Sequence, residues 1–171
     1  MRRALTLLTA LVLLGPFLAS SDASRGRHGG RGARGNGSVE WSATDPPVNG
    51  THIFEGQINK RGKPVGFHSR PGGRDPADAR LVRVTDGPNR AGVYAGEVEI
   101  RDRGGAWLAK RSTLYPDAMS RQEVIDAVLH AFRARTTGDA EPFRGPSGRG
   151  FTIEGYFQNG RINTAYPIFQ R

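Results

Sequence analysis

The 171-residue sequence contains no cysteine, and after residue 20 it contains no apolar stretch long enough to cross a membrane. The first absence excludes disulfide bonds, thiolate metal sites and cysteine nucleophiles. The second excludes a later transmembrane helix, which needs about 20 apolar residues. The folded part of the chain must therefore be held together by its hydrophobic core alone.

Acidic residues are also scarce. Asp and Glu number 16 against 25 Lys and Arg, which gives a net charge of +9. From Ser38 onward, 19 basic residues stand against 15 acidic ones. This surplus favours a polyanionic partner, because basic surfaces attract phosphate backbones. Charge alone leaves RNA, DNA, anionic lipid and cell-wall polymers open as that partner.

The first 23 residues have the pattern of a signal peptide. Met1–Arg3 is a short positively charged start, Ala4–Ala19 is almost wholly apolar, and Ser21–Ala23 has the small residues that a signal peptidase accepts. The sequence therefore predicts a signal peptide over 1–23 and a secreted protein with no stable membrane insertion after cleavage. Because the apolar run is at the short end of a membrane span, an uncleaved N-terminal anchor is the alternative.

Residues 24–48 are predicted to be a disordered Arg/Gly-rich arm and a linker. Ser24–Gly37 contains no aliphatic residue larger than alanine. Such a composition cannot bury enough apolar surface to fold. Two functions remain open for the arm: a loose grip on RNA or an anionic surface, or a soluble connection. Residues 49–171 are predicted to form one folded domain.

The domain sequence predicts antiparallel strands and one main helix, which is an α+β fold. Ser120 and Glu123 form a capping box at the start of a helix over Arg121–Arg135, in which apolar residues recur at helical spacing. Asn159 and Gly160 predict a type I′ turn and hence a hairpin. The predicted strands are Thr51–Asn59 (short, or only extended), Leu81–Val84, Val93–Ile100, Ala106–Tyr115, Phe151–Phe157 and Arg161–Ile168.

Two of the four histidines are candidates for chemistry. His52 and His68 lie beside glycine-rich turns, sixteen residues apart, and a loop of small residues follows His68. His28 falls in the predicted arm, and His130 falls on the predicted helix as a surface or boundary residue. An imidazole titrates near neutral pH and can therefore act as a general base or a general acid.

Two imidazoles on either side of a phosphodiester suffice to cleave RNA by internal transfer. One removes the proton of the 2′-hydroxyl, the other protonates the leaving 5′-oxygen, and a cation stabilises the charged phosphorane. No metal is required, because RNA carries its own nucleophile. A zinc site is the rival use of the histidines. It takes three or four ligands, often at short helical spacing, and the sequence has neither that spacing nor a carboxylate beside His68.

Six blocks of sequence follow one another in an order that is specific as a set. They are Thr51–Asn59, Gly62–Gly73, Gly92–Tyr94, Lys110–Pro116, Ile153–Tyr156 and Ile162–Pro167. The first two blocks carry the two candidate histidines. Through these blocks the sequence from Asn49 to the C-terminus resembles the bacterial EndoU nuclease domains, which commonly form the toxic C-terminal part of bacterial competition proteins.

The resemblance implies a fold of the barnase, EndoU, colicin and RelE group and a metal-independent endoribonuclease without a cofactor. It also implies that His68 is the base, that His52 is the acid, and that Lys110 stabilises the phosphorane. Thr164 and Tyr166 match the family's Thr-x-Tyr-Pro ending. Thr164 would then hydrogen-bond phosphate or base, and Tyr166 would stack on ribose or base. For Tyr166, packing on the core is the alternative.

Three further residues are candidates for binding substrate. Ser112 and Thr113 follow the lysine on the same predicted strand, and strand alternation turns only one of them towards the site. Arg70 lies in the loop of small residues after His68, where a phosphate is expected to approach.

Together these expectations describe a secreted endoribonuclease toxin that acts on RNA, with tRNA as one candidate substrate. A producing cell would need a cognate immunity protein, expected to be acidic to match the basic site. Family toxins often end very large proteins, whereas a small exported chain is expected here, which leaves the delivery route open. The alternatives are a non-catalytic module that binds RNA or a surface, and a metal-dependent hydrolase of DNA or a cell-wall polymer.

Overall fold

The computed structural model describes residues 38–138 and 141–171. The predicted signal peptide, 1–23, and the Arg/Gly-rich part of the predicted arm, 24–37, lie outside the described residues. Within the described part of the chain, no helix is long and apolar enough to span a bilayer.

Residues 38–48, predicted to be part of the linker, are packed against the domain. Trp41 forms a single β-bridge with Asn49, and Val48 forms another with Ile162. Val48 is fully buried. The ordered domain therefore begins before the predicted boundary at residue 49.

The described residues form three antiparallel sheets and one main helix, so the predicted α+β fold is confirmed. Strands β1 and β2 pair with each other, β3, β4 and β5 form the second sheet, and β6, β7 and β8 form the third. The main helix is α1, Arg121–Arg133. The strands are β1 Gln57–Ile58, β2 Pro64–Val65, β3 Ala79–Asp86, β4 Tyr94–Arg101, β5 Trp107–Leu114, β6 Phe143–Pro146, β7 Thr152–Gln158 and β8 Arg161–Pro167.

The second sheet has one buried face and one that meets solvent. Val98 and Ile100 of β4 and Leu114 of β5 belong to a small hydrophobic cluster on the buried face. On the other face, Glu97 pairs with Arg83 of β3 at 2.7 Å. Burying each large apolar side chain contributes roughly 1.5–3 kcal/mol. The buried face therefore fixes the position of β5, the strand that carries the candidate lysine.

Helix α1 confirms the predicted capping box. Ser120 Oγ accepts a hydrogen bond from the backbone N–H of Glu123 at 3.2 Å, and the Glu123 carboxylate accepts one from the backbone N–H of Ser120 at 2.9 Å. The helix ends at Arg133, with Ala134 as its C-cap, two residues earlier than predicted. Its apolar side packs on the third sheet in the larger of two cores. A Cβ at Gly145 of β6 would lie 2.0 Å from the carbonyl oxygen of Ala131, so glycine permits this close approach.

The C-terminal hairpin is also confirmed. Asn159 and Gly160 have φ angles of 55° and 73°, the positive values that a type I′ turn requires. The pairing of β7 with β8 shifts between Tyr156 and Phe157, which leaves Asn163 of β8 without an opposite residue. Such a bulge changes which side chains of the strand face one side of the sheet.

The prediction of an extended segment over Thr51–Asn59 is wrong for its first half. Thr51–Glu55 forms one turn of π-helix, closed by a hydrogen bond onto its first carbonyl, and only Gln57–Ile58 lies in a strand. β-branched residues favour extended backbone. Here that preference is overridden because the turn buries Ile53 and Phe54 in the larger core.

Candidate active site

His52 lies on the π-helical turn, which aims its side chain. The backbone N–H of His52 donates to Oδ1 of Asn49 at 3.0 Å, and ring Nδ1 lies 3.2 Å from Oε1 of Gln57. Single π-helical turns occur often at functional sites, where the extra residue redirects a side chain. His52 as a whole residue is partly exposed.

A short segment that ends at His68 lies directly against this turn. The N–H of Phe67 donates to the carbonyl of His52 at 2.8 Å, and the N–H of His68 donates to the carbonyl of Ile53 at 2.7 Å. Gly66 has a φ of 77°, and a Cβ there would lie 2.2 Å from the carbonyl oxygen of His52, so only glycine fits. Backbone contacts therefore set the separation of the two histidines.

Three aromatic rings form a row in the site. The ring centroids of His52 and His68 are 6.0 Å apart, and their planes differ by 33°. The ring of Tyr166 stacks on that of His68, with centroids 5.3 Å apart and planes that differ by 29°. The structure thus brings together the two histidines and the tyrosine that the sequence singled out. Two imidazoles at this distance can contact opposite sides of one phosphate.

His68 is anchored to strand β5. Its Nδ1 lies 3.0 Å from the carbonyl oxygen of Thr113 and 3.0 Å from Oγ of Ser112. A carbonyl oxygen only accepts hydrogen bonds, so Nδ1 carries the proton in the neutral ring and Nε2 carries a lone pair. His68 therefore presents an unprotonated nitrogen on the side of the ring away from β5.

Lys110 joins the site through Ser112. Its Nζ donates to the carbonyl of Gly66 at 2.8 Å and to Oγ of Ser112 at 3.2 Å. Ser112 is 3% exposed and also donates to the carbonyl of Phe67 at 2.8 Å. Ser112 thus links the lysine to the histidine through its hydroxyl, and its predicted contact with substrate stays a prediction.

Burial lowers the pKa of all three titratable groups in the site. It lowers the pKa of His52 to about 4, with a further lowering by the charge of Lys110 and an opposing effect of the hydrogen bond to Gln57. It also lowers the pKa of His68 well below its usual value, and the charges of Lys110 and His52 add to that effect. Burial lowers the pKa of Lys110 to about 8. At neutral pH the free protein therefore has two neutral imidazoles beside an ammonium that is still mostly charged.

Tyr166 and the carbonyl of Thr113 contact His68, while Thr164 lies on the same strand as Tyr166. Thr164 and Tyr166 follow the β8 bulge, lie two residues apart on one face of the strand, and are partly exposed. Thr113 contributes its carbonyl to His68, while alternation along β5 turns its side chain to the face opposite Ser112.

Arg70, predicted to bind substrate, is engaged by the loop after His68. Its guanidinium donates to Asp75 at 2.6 Å, to Asp117 at 3.1 Å, to the hydroxyl of Tyr94 at 3.3 Å and to the carbonyl of Gly73 at 2.7 Å. These contacts use four of its five N–H donors. Arg70 therefore holds the loop in place, and its contact with substrate stays a prediction.

The sequence reading missed a buried carboxylate behind Tyr166. The Tyr166 hydroxyl donates to Oε1 of Glu154, and Oε2 of Glu154 accepts from Nε of Arg144 at 2.5 Å. A cleft of about 600 Å³ runs along this side of His68, walled by these three side chains and by Thr113. A volume of this size suits a small organic ligand.

The position of His130 and the arrangement of possible metal ligands complete the description of the site. His130 is exposed, and its Nδ1 lies 2.9 Å from the carbonyl oxygen of Pro146, in agreement with its predicted surface position. Among residues 38–138 and 141–171, no group of three or more His, Asp and Glu side chains is arranged to hold a metal ion.

Comparison with known proteins identifies the family. Residues 48–169 match the family model of the bacterial EndoU nuclease. Over 118 residues the chain is 30% identical to a protein of Bacillus cereus named "Toxin". That alignment covers 68% of this chain and 21% of the relative, so the chain spans about a fifth of the length of the curated relative it matches. No solved structure matches the chain.

Proposed function

Because the chain belongs to the bacterial EndoU nuclease family, we propose that it is a metal-independent endoribonuclease that acts through His52, His68 and Lys110. The observation that carries the proposal is the 6.0 Å separation of the two imidazole centroids. Lys110 joins them because it donates a hydrogen bond to Ser112, whose hydroxyl also contacts His68. Acid, base and cation are the three groups that cleavage of RNA by its own 2′-hydroxyl requires.

In the proposed reaction His68 is the base. Its Nε2 takes the proton of the 2′-hydroxyl, and the 2′-oxygen attacks the adjacent phosphorus. The bond between phosphorus and the 5′-oxygen breaks, and His52 gives its proton to that oxygen. The products are a 2′,3′-cyclic phosphate and a free 5′-hydroxyl. Lys110 stabilises the negative charge that gathers on the non-bridging oxygens.

His52 must be protonated to act as the acid, although burial lowers its pKa to about 4 in the free protein. A bound phosphodiester carries a negative charge, and a nearby opposite charge favours the protonated imidazole. Substrate binding is therefore expected to raise the pKa of His52. The base does not face this problem, because a low pKa keeps His68 unprotonated.

Thr164 and Tyr166 are proposed to contact the substrate on the cleft side of His68. Tyr166 presents a ring already stacked on His68, which suits packing against a ribose or a base. Thr164 offers a hydroxyl to phosphate or base from the same face of β8. Ser112 and the carbonyl of Thr113 are proposed to orient His68.

A comparison of substrates tests the proposal. Purified protein is incubated with an RNA, with the same RNA carrying a 2′-deoxyribose at its mapped cleavage site, and with DNA, each with and without EDTA. We expect cleavage of the unmodified RNA alone, unchanged by EDTA, with a cyclic phosphate on the 5′ fragment. Loss of cleavage in EDTA would favour a metal-dependent hydrolase. Binding of RNA without cleavage would favour a non-catalytic module.

The wider biology follows from the same proposal. We propose that the protein is a secreted toxin, supported by the signal-like residues 1–23 and by the name of the Bacillus cereus relative. Its substrate would be a cellular RNA, tRNA among the candidates, and an immunity protein would protect the producing cell. Expression in a bacterial cytoplasm should arrest growth, and the variant His68→Ala should not. Sequencing of the RNA ends would identify the target.

A further inference from the structure

Glu154 is a buried carboxylate that none of the proposed reaction steps uses. It is 8% exposed and accepts hydrogen bonds from Tyr166 on one oxygen and from Arg144 on the other. The side chain of Arg144 is 57% exposed, so the ion pair has one end in the protein and one end in solvent. A buried carboxylate needs such partners, because an unpaired one is costly.

Sheet register explains how these side chains meet. Arg144 of β6 lies opposite Glu154 of β7, and Glu154 lies opposite Tyr166 of β8. The three residues are consecutive neighbours in one row across the sheet, where opposite side chains are about 5 Å apart. The row continues to His68, on which the Tyr166 ring stacks at 5.3 Å.

The direction of the hydrogen bond limits what Tyr166 can do. An ionised carboxylate only accepts, so the tyrosine hydroxyl must donate to Glu154. That proton is therefore engaged by Glu154 and is not available to a ligand. The aromatic ring is therefore the part of Tyr166 that is available to a ligand. The hydrogen bond between the hydroxyl and Glu154 restricts how that ring is oriented.

We propose that Glu154 is a positioning residue that holds the Tyr166 ring stacked on His68, with Arg144 holding the carboxylate in turn. The inference rests on the proposed ribonuclease function and extends it to a residue outside the His-His-Lys group. Glu154 acts through Tyr166 and not on the substrate itself. Tyr166 acts through its ring and not through its hydroxyl.

A double-mutant cycle tests the proposal, with RNA cleavage by the wild-type protein as the first arm. If the wild type does not cleave RNA, the proposed function fails. If it does, Glu154→Ala and Tyr166→Phe should each lower kcat about tenfold, as expected for loss of a hydrogen bond to a charged group. The combination of both changes should lower kcat no further, because each removes the same contact. Losses that multiply in the double variant would overturn the proposal.

Two variants separate positioning from a general effect on folding. Glu154→Gln keeps an oxygen that can accept from Tyr166, so its activity should stay within about threefold of wild type. Glu97→Ala removes the carboxylate of another cross-strand pair, Arg83–Glu97, on the solvent face of the second sheet, and should leave activity unchanged. Equal losses in Glu154→Gln and Glu154→Ala, or an equal loss in Glu97→Ala, would contradict a positioning role.

A spectroscopic readout covers the case in which Glu154→Ala is less stable. His68 is faced by Tyr166, His52 and Lys110, and burial is the main cause of its low pKa. Release of the Tyr166 ring should hydrate His68 and raise its pKa in an NMR titration of the folded variant. A His68 titration identical to that of the wild type in Tyr166→Phe and in Glu154→Ala would overturn the proposal.

Discussion

The two candidate catalytic histidines occupy one site but are anchored in different ways. His52 is partly exposed, and one side chain, Gln57, contacts its Nδ1. His68 is 8% exposed, and its Nδ1 contacts the Thr113 carbonyl and a serine hydroxyl of β5. Burial lowers the pKa of both rings, but only His68 has both Lys110 and the other histidine among the charges that oppose its protonation.

One residue type can therefore serve two roles, depending on how its ring is held. A buried ring that is fixed to the backbone of a sheet and lies beside the ammonium of Lys110 stays neutral, which suits a base. A ring on a helical turn, held by one side chain and partly open to solvent, gains a proton more readily when an anion arrives. The anchoring therefore favours His68 as the base and His52 as the acid, the same order that the family resemblance implies.

The largest expected effects come from removing the reacting groups. His52→Ala, His68→Ala and Lys110→Ala should each lower RNA cleavage by on the order of a hundredfold or more, since acid–base and charge-stabilising groups contribute that much. His130→Ala is the control, because that histidine is exposed on α1, and it should remain within a few-fold of wild type. A loss in His130→Ala as large as that in His68→Ala would show that the site is assigned wrongly.

A substitution at Gly66 should change the distance between the two histidines. Gly66 and Gly62 both have positive φ, at 77° and 71°, but a Cβ at Gly66 would lie 2.2 Å from the His52 carbonyl, whereas Gly62 has nothing within 4 Å. Gly66→Ala should therefore lower cleavage by about a hundredfold, comparable to loss of a histidine. Gly62→Ala bears only the backbone strain and should keep its rate within about threefold. Equal rates in the two variants would argue against this contact as the spacer.

A smaller effect is expected from Gln57, whose hydrogen bond changes the pKa of His52. The hydrogen bond from His52 Nδ1 to Gln57 raises the pKa of His52, so Gln57→Leu should lower it further. A weaker supply of the protonated acid should reduce kcat about tenfold and move the alkaline limb of the pH–kcat profile to lower pH.

The opposite change is the control for that shift. Gln57→Glu places a negative charge beside His52, which raises its pKa and should move the same limb to higher pH. If the limb stays in place in both variants, then His52 is not the group that the profile reports.

Local sequence rules predicted the elements whose geometry is local. Ser120 and Glu123 gave the start of α1, and Asn159 and Gly160 gave the turn of the C-terminal hairpin, because caps and tight turns depend on neighbouring residues alone. The pairing of His52 with His68 as one site came from the family resemblance. Their spatial proximity is now observed, while their catalytic roles remain predictions.

The elements that the sequence did not predict depend on distant contacts. Strand β6 ends in Gly145 and Pro146, which count against a strand, yet Gly145 is needed where α1 crosses it. Counting back from the hairpin turn would pair Glu154 with Ala165. The bulge shifts the register and sets Glu154 opposite Tyr166 instead. Neither the helix crossing nor the bulge has a signal in the residues nearby.

The contacts of Ser112 and Arg70 could not be predicted from the sequence either. Ser112 and Arg70 were chosen as polar residues close in sequence to the site, but proximity along the chain does not show which atoms a side chain reaches. The hydroxyl of Ser112 contacts Lys110 and His68, and the guanidinium of Arg70 pairs with Asp75 and Asp117. Both contribute to the shape of the site through other residues.

The division of labour between the two imidazoles can be measured with one pair of substrates. RNA has a poor leaving group that needs an acid, whereas a nucleoside 3′-(4-nitrophenyl phosphate) has a leaving group that needs none. We expect His52→Ala to cleave the nitrophenyl substrate at nearly the wild-type rate, and His68→Ala to remain about a hundredfold slower on both substrates. Recovery of His68→Ala in place of His52→Ala, or of neither variant, would show that the acid and the base are assigned wrongly.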